Sequence, residues 1–348
     1  MKKHLYFTYV ALLLLSSCSL YQKYESANTV PDKIMGDVIV DSRDTTSIGD
    51  LNWRDLFKDP LLQQLIQKAI ANNTDMKAAQ LAIEQAQNEV AAAKWGYAPT
   101  FALAPQATYS YQDGNNSFNV TVPVTASWQL GIFGQNRSQV RKSKSQLAYM
   151  EDYKQAVQVG LAANVANLYY TLVMLDRQRE IAEATDSLCE QSLNSTRALY
   201  EAGVFQSPAV YQMEASLAEV RTQIVDLKNS LVNTEATLCH LLAEPVHHIQ
   251  RADFDAFQMP EELHVGLPVR LLNNRPDVRL AERNLEIAYY GAQQARQSFF
   301  PDISIDGLFG LGSINPAIII GQAVASLTQP LFAGKKISTQ FKNAKAEQ

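Results

Sequence analysis

Phe118-Asn119-Val120-Thr121-Val122-Pro123-Val124-Thr125-Ala126-Ser127-Trp128-Gln129-Leu130 is the stretch that decides the fold class. Every even-numbered residue in it is apolar. Every odd-numbered residue is a neutral polar residue or proline. A period of two puts successive side chains on opposite faces of an extended strand, so one face is greasy and the other is not. The run before it behaves alike, with Phe101, Leu103, Ala107, Tyr109 and Tyr111 set against Gln106, Thr108, Ser110 and Gln112. Asp113-Gly114-Asn115-Asn116 reads as the turn between the two. A half-buried soluble hairpin alternates in the same way. Two features favour a membrane barrel wall: the quoted run is far longer than the usual strand of roughly five or six residues, and its polar positions are neutral, with Tyr and Trp towards the ends. Asp113, in the turn, is the only charged residue from 98 to 131.

Working outward, the surroundings of this hairpin recur about 200 residues later. Asn72-Asn73-Thr74-Asp75-Met76-Lys77 is echoed by Asn273-Asn274-Arg275-Pro276-Asp277-Val278-Arg279, Tyr97-Ala98-Pro99 by Phe299-Phe300-Pro301, and Ile132-Phe133 by Leu331-Phe332. Each copy predicts a short helix (60–72 and 267–274), an Ala/Gln-rich helix (75–97 and 277–298) ended by proline, and two extended stretches. The second pair runs from Asp302 to Leu311 and from about Ile318 to Phe332, around Gly312-Ser313-Ile314-Asn315-Pro316. Its alternation is poorer, because Ile318, Ile319 and Ile320 are contiguous. Four strands per chain cannot close a barrel, and an open edge does not survive in lipid. A membrane-spanning sheet of this kind therefore requires several chains, most simply a cyclic ring.

Between the two pairs lies a long helical stretch. No proline occurs between Pro123 and Pro208, and Gly160 is the only glycine from Gln135 to Ala202. That composition predicts one helix about 100 Å long at ~1.5 Å per residue. Gly203-Val204-Phe205-Gln206-Ser207 joins it to a second helix, with Gly203 suited to a C-terminal cap, Ser207 to an N-cap and Pro208 to the first helical position. Val210, Met213, Leu217, Val220, Ile224, Leu227 and Leu231 alternate steps of three and four, which is a coiled-coil seam. Val157, Leu161, Val165, Leu168, Leu172 and Leu175 supply the facing helix.

The N-terminus reads as an address. Lys2 and Lys3, the apolar run Leu5 to Leu15 and the small residues Ser16 and Ser17 describe a secretory signal peptide over 1–17. Leu15-Ser16-Ser17-Cys18 resembles a bacterial lipobox, which makes Cys18 the expected lipidation site and the first residue of the mature protein. Acyl chains contribute ~0.8 kcal/mol per buried CH₂, so several of them anchor stably. Ser19, in place of an aspartate, favours the outer membrane. Residues 18–50 read as a polar, lipid-anchored linker.

Composition narrows the function. The chain has 348 residues, a net charge of -5, 47% hydrophobic and 19% charged residues. A mildly acidic balance excludes the basic face of a nucleic-acid binder. No later stretch is long and apolar enough for a transmembrane helix, and three cysteines make no disulfide framework. No serine–histidine–aspartate pattern, phosphate loop or dinucleotide fingerprint occurs. Cys189 and Cys239 read as small buried hydrophobes. His240, His247, His248 and His264 lack the spacing of a metal site. Asp277 reads as a helix-start acid favoured by the helix dipole. Enzyme, cofactor and metal are therefore not expected.

Taken together, Trp53-Arg54-Asp55-Leu56-Phe57-Lys58-Asp59-Pro60-Leu61, Ser127-Trp128-Gln129-Leu130-Gly131-Ile132-Phe133-Gly134, Arg275-Pro276-Asp277-Val278-Arg279, Phe299-Phe300-Pro301 and Gln329-Pro330-Leu331-Phe332 resemble the outer-membrane efflux family, the TolC-like proteins, in its NodT-type lipoprotein branch. The resemblance covers about 18–348. It implies a mainly α fold with membrane β: a homotrimer whose chains each give four strands to a 12-stranded outer-membrane barrel, above a periplasmic tunnel of helical hairpins. It implies a periplasmic adaptor and an inner-membrane pump, of RND type, as partners, and outer-membrane lipid around the barrel. On that reading Gly203, Val204, Phe205 and Ser207 form the adaptor-docking tip, and the protein is a passive duct. The first repeat spans 51–250, with strands over 100–131 and the hairpin over 135–242. The second spans 251–348, with helices over 267–298 and strands over 302–332, and its hairpin is expected to be missing. The chain is thus expected to be C-terminally incomplete and not to close a tunnel by itself. The alternative is a periplasmic adaptor, which also carries a long hairpin. It would need lipoyl-like half-motifs where these uncharged strands stand.

Overall fold

The computed structural model describes residues 23–26, 53–112, 114–256, 275–314 and 317–348. Cys18, the signal peptide, most of the linker, the helix expected at 267–274, His264 and the turn residues Asp113, Asn315 and Pro316 lie outside the described residues. The described residues are mainly helical, with one antiparallel sheet among them. The helices are α1 (Trp53–Leu56), α2 (Pro60–Asn72), α3 (Thr74–Trp95), α4 (Gln135–Glu201), α5 (Ser207–Leu242), α6 (Pro276–Gln297) and α7 (Lys336–Glu347). The strands are β1 (Thr100–Leu103), β2 (Gln106–Gln112), β3 (Asn115–Gln129), β4 (Asp302–Ile314) and β5 (Ala317–Thr328). The chain divides into two compact units, Met1–Pro31 with Ala82–Asp152 and Asp277–Gln348, and Asp32–Leu81 with Tyr153–Pro276.

The first unit holds the sheet. Its order is β1-β3-β4-β5, with β2 also on β3, and every pairing is antiparallel. The run expected as one strand from Phe101 to Gln112 is two strands. Pro105 has no N–H to give to a ladder, so the strand breaks there and resumes at Gln106, while the Ala104 N–H still reaches the Pro123 carbonyl at 3.0 Å. The two halves of the repeat meet along β3 and β4, where Val122 to Gln129 run against Leu311 to Ser304. The helical part of this unit carries an ion cluster, with Arg279 and Arg283 bonding the two oxygens of Asp152 at 2.6 and 3.2 Å.

The second unit is a helical core. Asp59 caps α2 by accepting from the Leu61 N–H at 2.8 Å, and Pro60 starts the helix. Leu62, Ile66 and Ala69, one stripe of α2, are fully buried against Leu161, Val165, Tyr169 and Leu172 of α4 and Leu238 and Leu242 of α5. Each such aliphatic side chain contributes about 1.5–3 kcal/mol on burial. Asn73 joins α2 to α3. Its Oδ1 accepts from the Asp75 N–H at 2.8 Å, and its Nδ2 donates to the Leu241 carbonyl at 3.1 Å. The repeated asparagine pair read in the sequence is therefore, in its first copy, a helix cap tied to the hairpin base.

The hairpin seam is asymmetric. Val210, Leu217, Ile224, Leu231 and Leu238, seven apart, are buried, whereas Met213, Val220 and Leu227 are only half-buried. The α4 helix ends in a Schellman motif. The Gly203 N–H bonds the Tyr200 carbonyl, the Val204 N–H bonds the Leu199 carbonyl at 2.9 Å, and Gly203 sits at φ +74°. Gly203 thus caps the helix, as its backbone freedom predicts. Ser207 does not take the cap position expected of it. The cap is Gln206, with no side-chain bond, and Ser207 falls inside the first turn beside Pro208.

Candidate functional site: the sheet faces and the hairpin tip

Strand register sorts the side chains, because directly paired residues share a face. One face gathers Phe101, Leu103, Ala107, Tyr109, Tyr111, Phe118, Val120, Val122, Val124, Ala126 and Trp128 with Ile303, Ile305, Phe309, Leu311, Ile319 and Leu327. This face is apolar across all the strands apart from Asn116, opposite Tyr111 at the turn end, and it is open. Phe118 is 71% exposed, Phe309 65% and Ile319 72%. An apolar expanse of this kind is not left to water in a stable protein.

The opposite face carries Gln106, Thr108, Ser110, Ser117, Asn119, Thr121, Thr125, Ser127, Ser304, Asp306, Gln322 and Ser326, interrupted by Leu308, Ile320 and Val324. Its hydroxyls bond across strands. Ser110 Oγ and Ser117 Oγ are 2.6 Å apart, and Ser304 Oγ and Ser326 Oγ 3.4 Å. Ser127 Oγ donates to Asp306 Oδ1 at 2.7 Å. This cross-strand acid was missed in the sequence, although a charge at a polar-parity position of an otherwise uncharged strand was its signal.

All strand ends that lead to helices lie at one end of the sheet, and one group of aromatics collects there, while Tyr109, Tyr111 and Phe118 lie towards the other end. Trp128 Nε1 donates to the Tyr97 carbonyl at 2.8 Å, and Gln329 Nε2 to the Phe299 carbonyl at 3.1 Å. Phe133 stacks on Phe300 at 5.4 Å. These pairs come from corresponding parts of the two copies of the repeat. An amphipathic ring with its N–H satisfied suits the boundary between lipid and water.

The second candidate is the hairpin apex in the helical unit. Gly203, Val204, Phe205 and Ser207 are together there, with Val204 65% and Phe205 44% exposed. Cross-helix ion pairs brace the shaft below it, Arg197 to Glu214 at 2.6 Å and Arg221 to Asp186 at 2.8 Å.

The remaining reactive groups have structural partners. Cys239 is buried and Cys189 half-buried, both free. Cys239 Sγ lies 3.6 Å from His247 Nδ1, which also lies 2.9 Å from the Pro245 carbonyl, and His248 Nδ1 meets Glu235 at 2.8 Å. Among the described residues no three His, Cys, Asp or Glu converge as a metal site would need. Asp277 stands in the first turn of α6.

A family model described as "Outer membrane efflux protein" matches residues 65–244. Among curated proteins, the chain is 28% identical over 331 residues to the toluene efflux pump outer membrane protein TtgC of Pseudomonas putida, covering 91% of this chain and 68% of that protein. It is 26% identical to the cation efflux system protein CusC of Escherichia coli, covering 84% and 65%. Among solved structures, the outer-membrane channel OprN superposes with a TM-score of 0.81 at 22% identity, covering 95% of this chain and 77% of that one. The open state of the Neisseria gonorrhoeae MtrE outer membrane channel gives 0.76 at 24% identity, covering 94% and 75%.

Proposed function

Since the chain belongs to the outer membrane efflux protein family, we propose that it is the exit duct of a tripartite pump, built as a homotrimer and anchored through Cys18. It is an outer-membrane efflux protein, a duct rather than an enzyme, and it works with a periplasmic adaptor and an inner-membrane pump. The pump is of RND type, in keeping with the cation efflux relative.

The observation that carries this reading is the open apolar face that runs across every strand of the sheet. In lipid that face is at home and the polar face lines water, but the sheet's outermost strands, β1/β2 and β5, then need partners. Three chains of four strand positions close a ring of twelve, above the minimum of about eight for a membrane barrel. After removal of the 1–17 signal, the 18–50 linker and the repeats at 51–250 and 251–348 are the segments of this assembly. Gly203, Val204, Phe205 and Ser207 form its adaptor-docking tip, with two apolar side chains held out by a rigid Schellman turn. On this reading the inner-membrane pump supplies the energy, and solutes move passively through the duct once the pump delivers them.

Membrane fractionation with gel mobility before and after heating tests the proposal. A heat-dissociable oligomer in the outer membrane is expected, and recovery as a soluble or inner-membrane monomer refutes it. Radioactive palmitate labelling tests the anchor. Label should be lost in Cys18→Ala, and unchanged labelling rules Cys18 out.

A further inference from the structure

We propose that the helix ends next to the sheet form a basic collar that binds the anionic headgroups of phospholipids in the periplasmic leaflet. The inference rests on the outer-membrane reading above and adds a lipid-binding surface to it.

Four helix ends meet at the helix-side end of the sheet, all of them within the first compact unit. The end of α3 is joined to the start of α4 by Asn136 Nδ2, which donates to the Gly96 carbonyl at 3.2 Å. The end of α6 is joined to α4 by Gln297 Nε2, which donates to Ser138 Oγ at 2.9 Å. The start of α7 comes to the same place through Phe341, whose ring meets Phe299 edge-on at 5.9 Å. The chain around these junctions carries one sign of charge. Segments 91–100, 130–150, 293–301 and 329–346 hold ten Lys and Arg and no Asp or Glu, in a protein whose net charge is -5. Asp302, the first residue of β4, borders them.

Helix electrostatics accounts for only part of this. Lys94 and Arg296 stand in the last turns of α3 and α6, where the helix dipole favours a cation. At the starts of α4 and α7 the dipole disfavours one, yet neither first turn holds an acid, and Arg137 and Lys336 stand there. Arg137, Arg141 and Lys144 keep the i, i+4, i+7 spacing of a single helix face, and Lys342 and Lys345 the i, i+3 spacing. Lys144, Lys335, Lys336, Lys342 and Lys345 are exposed, and among the described residues none of the five is in an ion pair. At ~1.5 Å per residue, the cations of α4 and α7 lie within about 15 Å of the sheet-side start of their helix. The open apolar face of the sheet lies in hydrocarbon on the membrane reading, so the collar stands where hydrocarbon gives way to headgroups. Long cationic side chains reach from such a level to the phosphates. Clustered Lys and Arg beside an anionic leaflet are attracted to it over about one Debye length, roughly 8 Å at physiological salt.

The test is quenching of tryptophan fluorescence by brominated lipid, with the full chain reconstituted in phosphatidylcholine vesicles. A Trp53→Phe background leaves Trp95 and Trp128, both at the collar, as the reporters. Dibrominated phosphatidylglycerol should quench more strongly than the same fraction of dibrominated phosphatidylcholine, and high salt should remove the difference. Lys335→Gln, Lys336→Gln, Lys342→Gln and Lys345→Gln together should lower the preference several-fold, and the same four positions changed to Arg should keep it. Equal quenching by the two lipids, or a preference that neither salt nor the four Gln changes reduce, overturns the collar and leaves the membrane reading standing. Absence of quenching by either lipid takes the sheet out of the bilayer and overturns both.

Discussion

The Tyr169 hydroxyl donates to Asp59 Oδ2 at 2.5 Å across 110 residues of sequence. The Tyr169 oxygen in turn accepts from the Ala252 N–H at 3.0 Å, and the other Asp59 oxygen caps α2. Tyr169 has no exposed surface. One phenol thus ties the start of α2, the middle of α4 and the segment after α5. Burial, with the Asp59 carboxylate beside it, pushes the Tyr169 phenol upwards, so it stays a donor at all ordinary pH. Tyr169→Phe leaves the Asp59 carboxylate and the Ala252 N–H without this partner. It should cost about 1–3 kcal/mol, read as a lower midpoint in thermal denaturation of the purified protein.

A second knot in the helical unit is electrostatic. Arg251, with only 8% of its side chain exposed, bonds Asp176 and meets Glu235 at 2.6 Å. Burial works to raise the Glu235 carboxyl, but hydrogen bonds from Arg251 and the Ile249 N–H, with the charges of Arg251 and His248, outweigh it and hold the group below the ordinary glutamate range. A depressed folded value adds stability that is fully present above the unfolded value, about 4.3, and is lost as pH falls through the folded one. Acid unfolding curves should therefore start to decline in the ordinary glutamate range. Arg251→Met should remove on the order of 3 kcal/mol at neutral pH, and the loss should shrink as pH falls, because Glu235 without its arginine is no longer held below the ordinary range. A loss that stays the same from neutral pH to below the glutamate range would contradict this.

Ala243 is the only described non-glycine residue at positive φ, at +54°. It closes α5 through a Schellman pair, its N–H to the His240 carbonyl at 3.1 Å and the Glu244 N–H to the Cys239 carbonyl at 3.0 Å. Glycine adopts this left-handed conformation without the penalty of a Cβ, so Ala243→Gly should stabilise the protein by about 1 kcal/mol. Urea unfolding measures it, and a loss of stability would refute the account.

In the sheet, two glycines should respond oppositely to alanine. A Cβ at Gly310 would lie 2.4 Å from the Val122 carbonyl and 2.7 Å from Pro123 Cα, forcing β3 and β4 apart. A Cβ at Gly307 would meet Ala126 Cβ at 3.6 Å, an ordinary contact. Gly310→Ala should reduce outer-membrane assembly, read as loss of the heat-dissociable oligomer, and Gly307→Ala should not.

The hairpin tip predicts a separation of activity from assembly. The double change Val204→Ala and Phe205→Ala removes two exposed side chains from the proposed adaptor contact and should weaken efflux while oligomer yield and melting midpoint stay at wild-type values. Efflux unchanged at equal expression would remove the tip from the docking reading.

Much of this was legible in the chain because periodicity is a local property. The two-residue period of 118–130 marks a strand, and β3 runs over Asn115–Gln129. The absence of proline and near-absence of glycine mark the 67 residues of α4. Gly203 was legible as a cap because a left-handed turn needs a residue without a Cβ. Ser207 was not, because its identity as a common cap outweighs, on paper, the geometry that Gln206, extended before the first turn, supplies. The break at Pro105 had its signal in the proline itself, hidden by apolar alternation that continues on both sides of it.

The sequence by itself determined the element types, the repeat, the resemblance to outer-membrane efflux proteins and the alternation that makes a sheet face greasy. Each follows from the order of residues along one segment. Only the tertiary structure decided which strands pair and in what register, and hence that the apolar residues of both repeats fall on one continuous face with Asp306 on the other. It alone brought Tyr169 to Asp59 and Arg251 to Asp176 and Glu235. Such contacts join residues 16 to 110 positions apart, and no local period encodes them, because they exist only once the core has fixed the distances between elements.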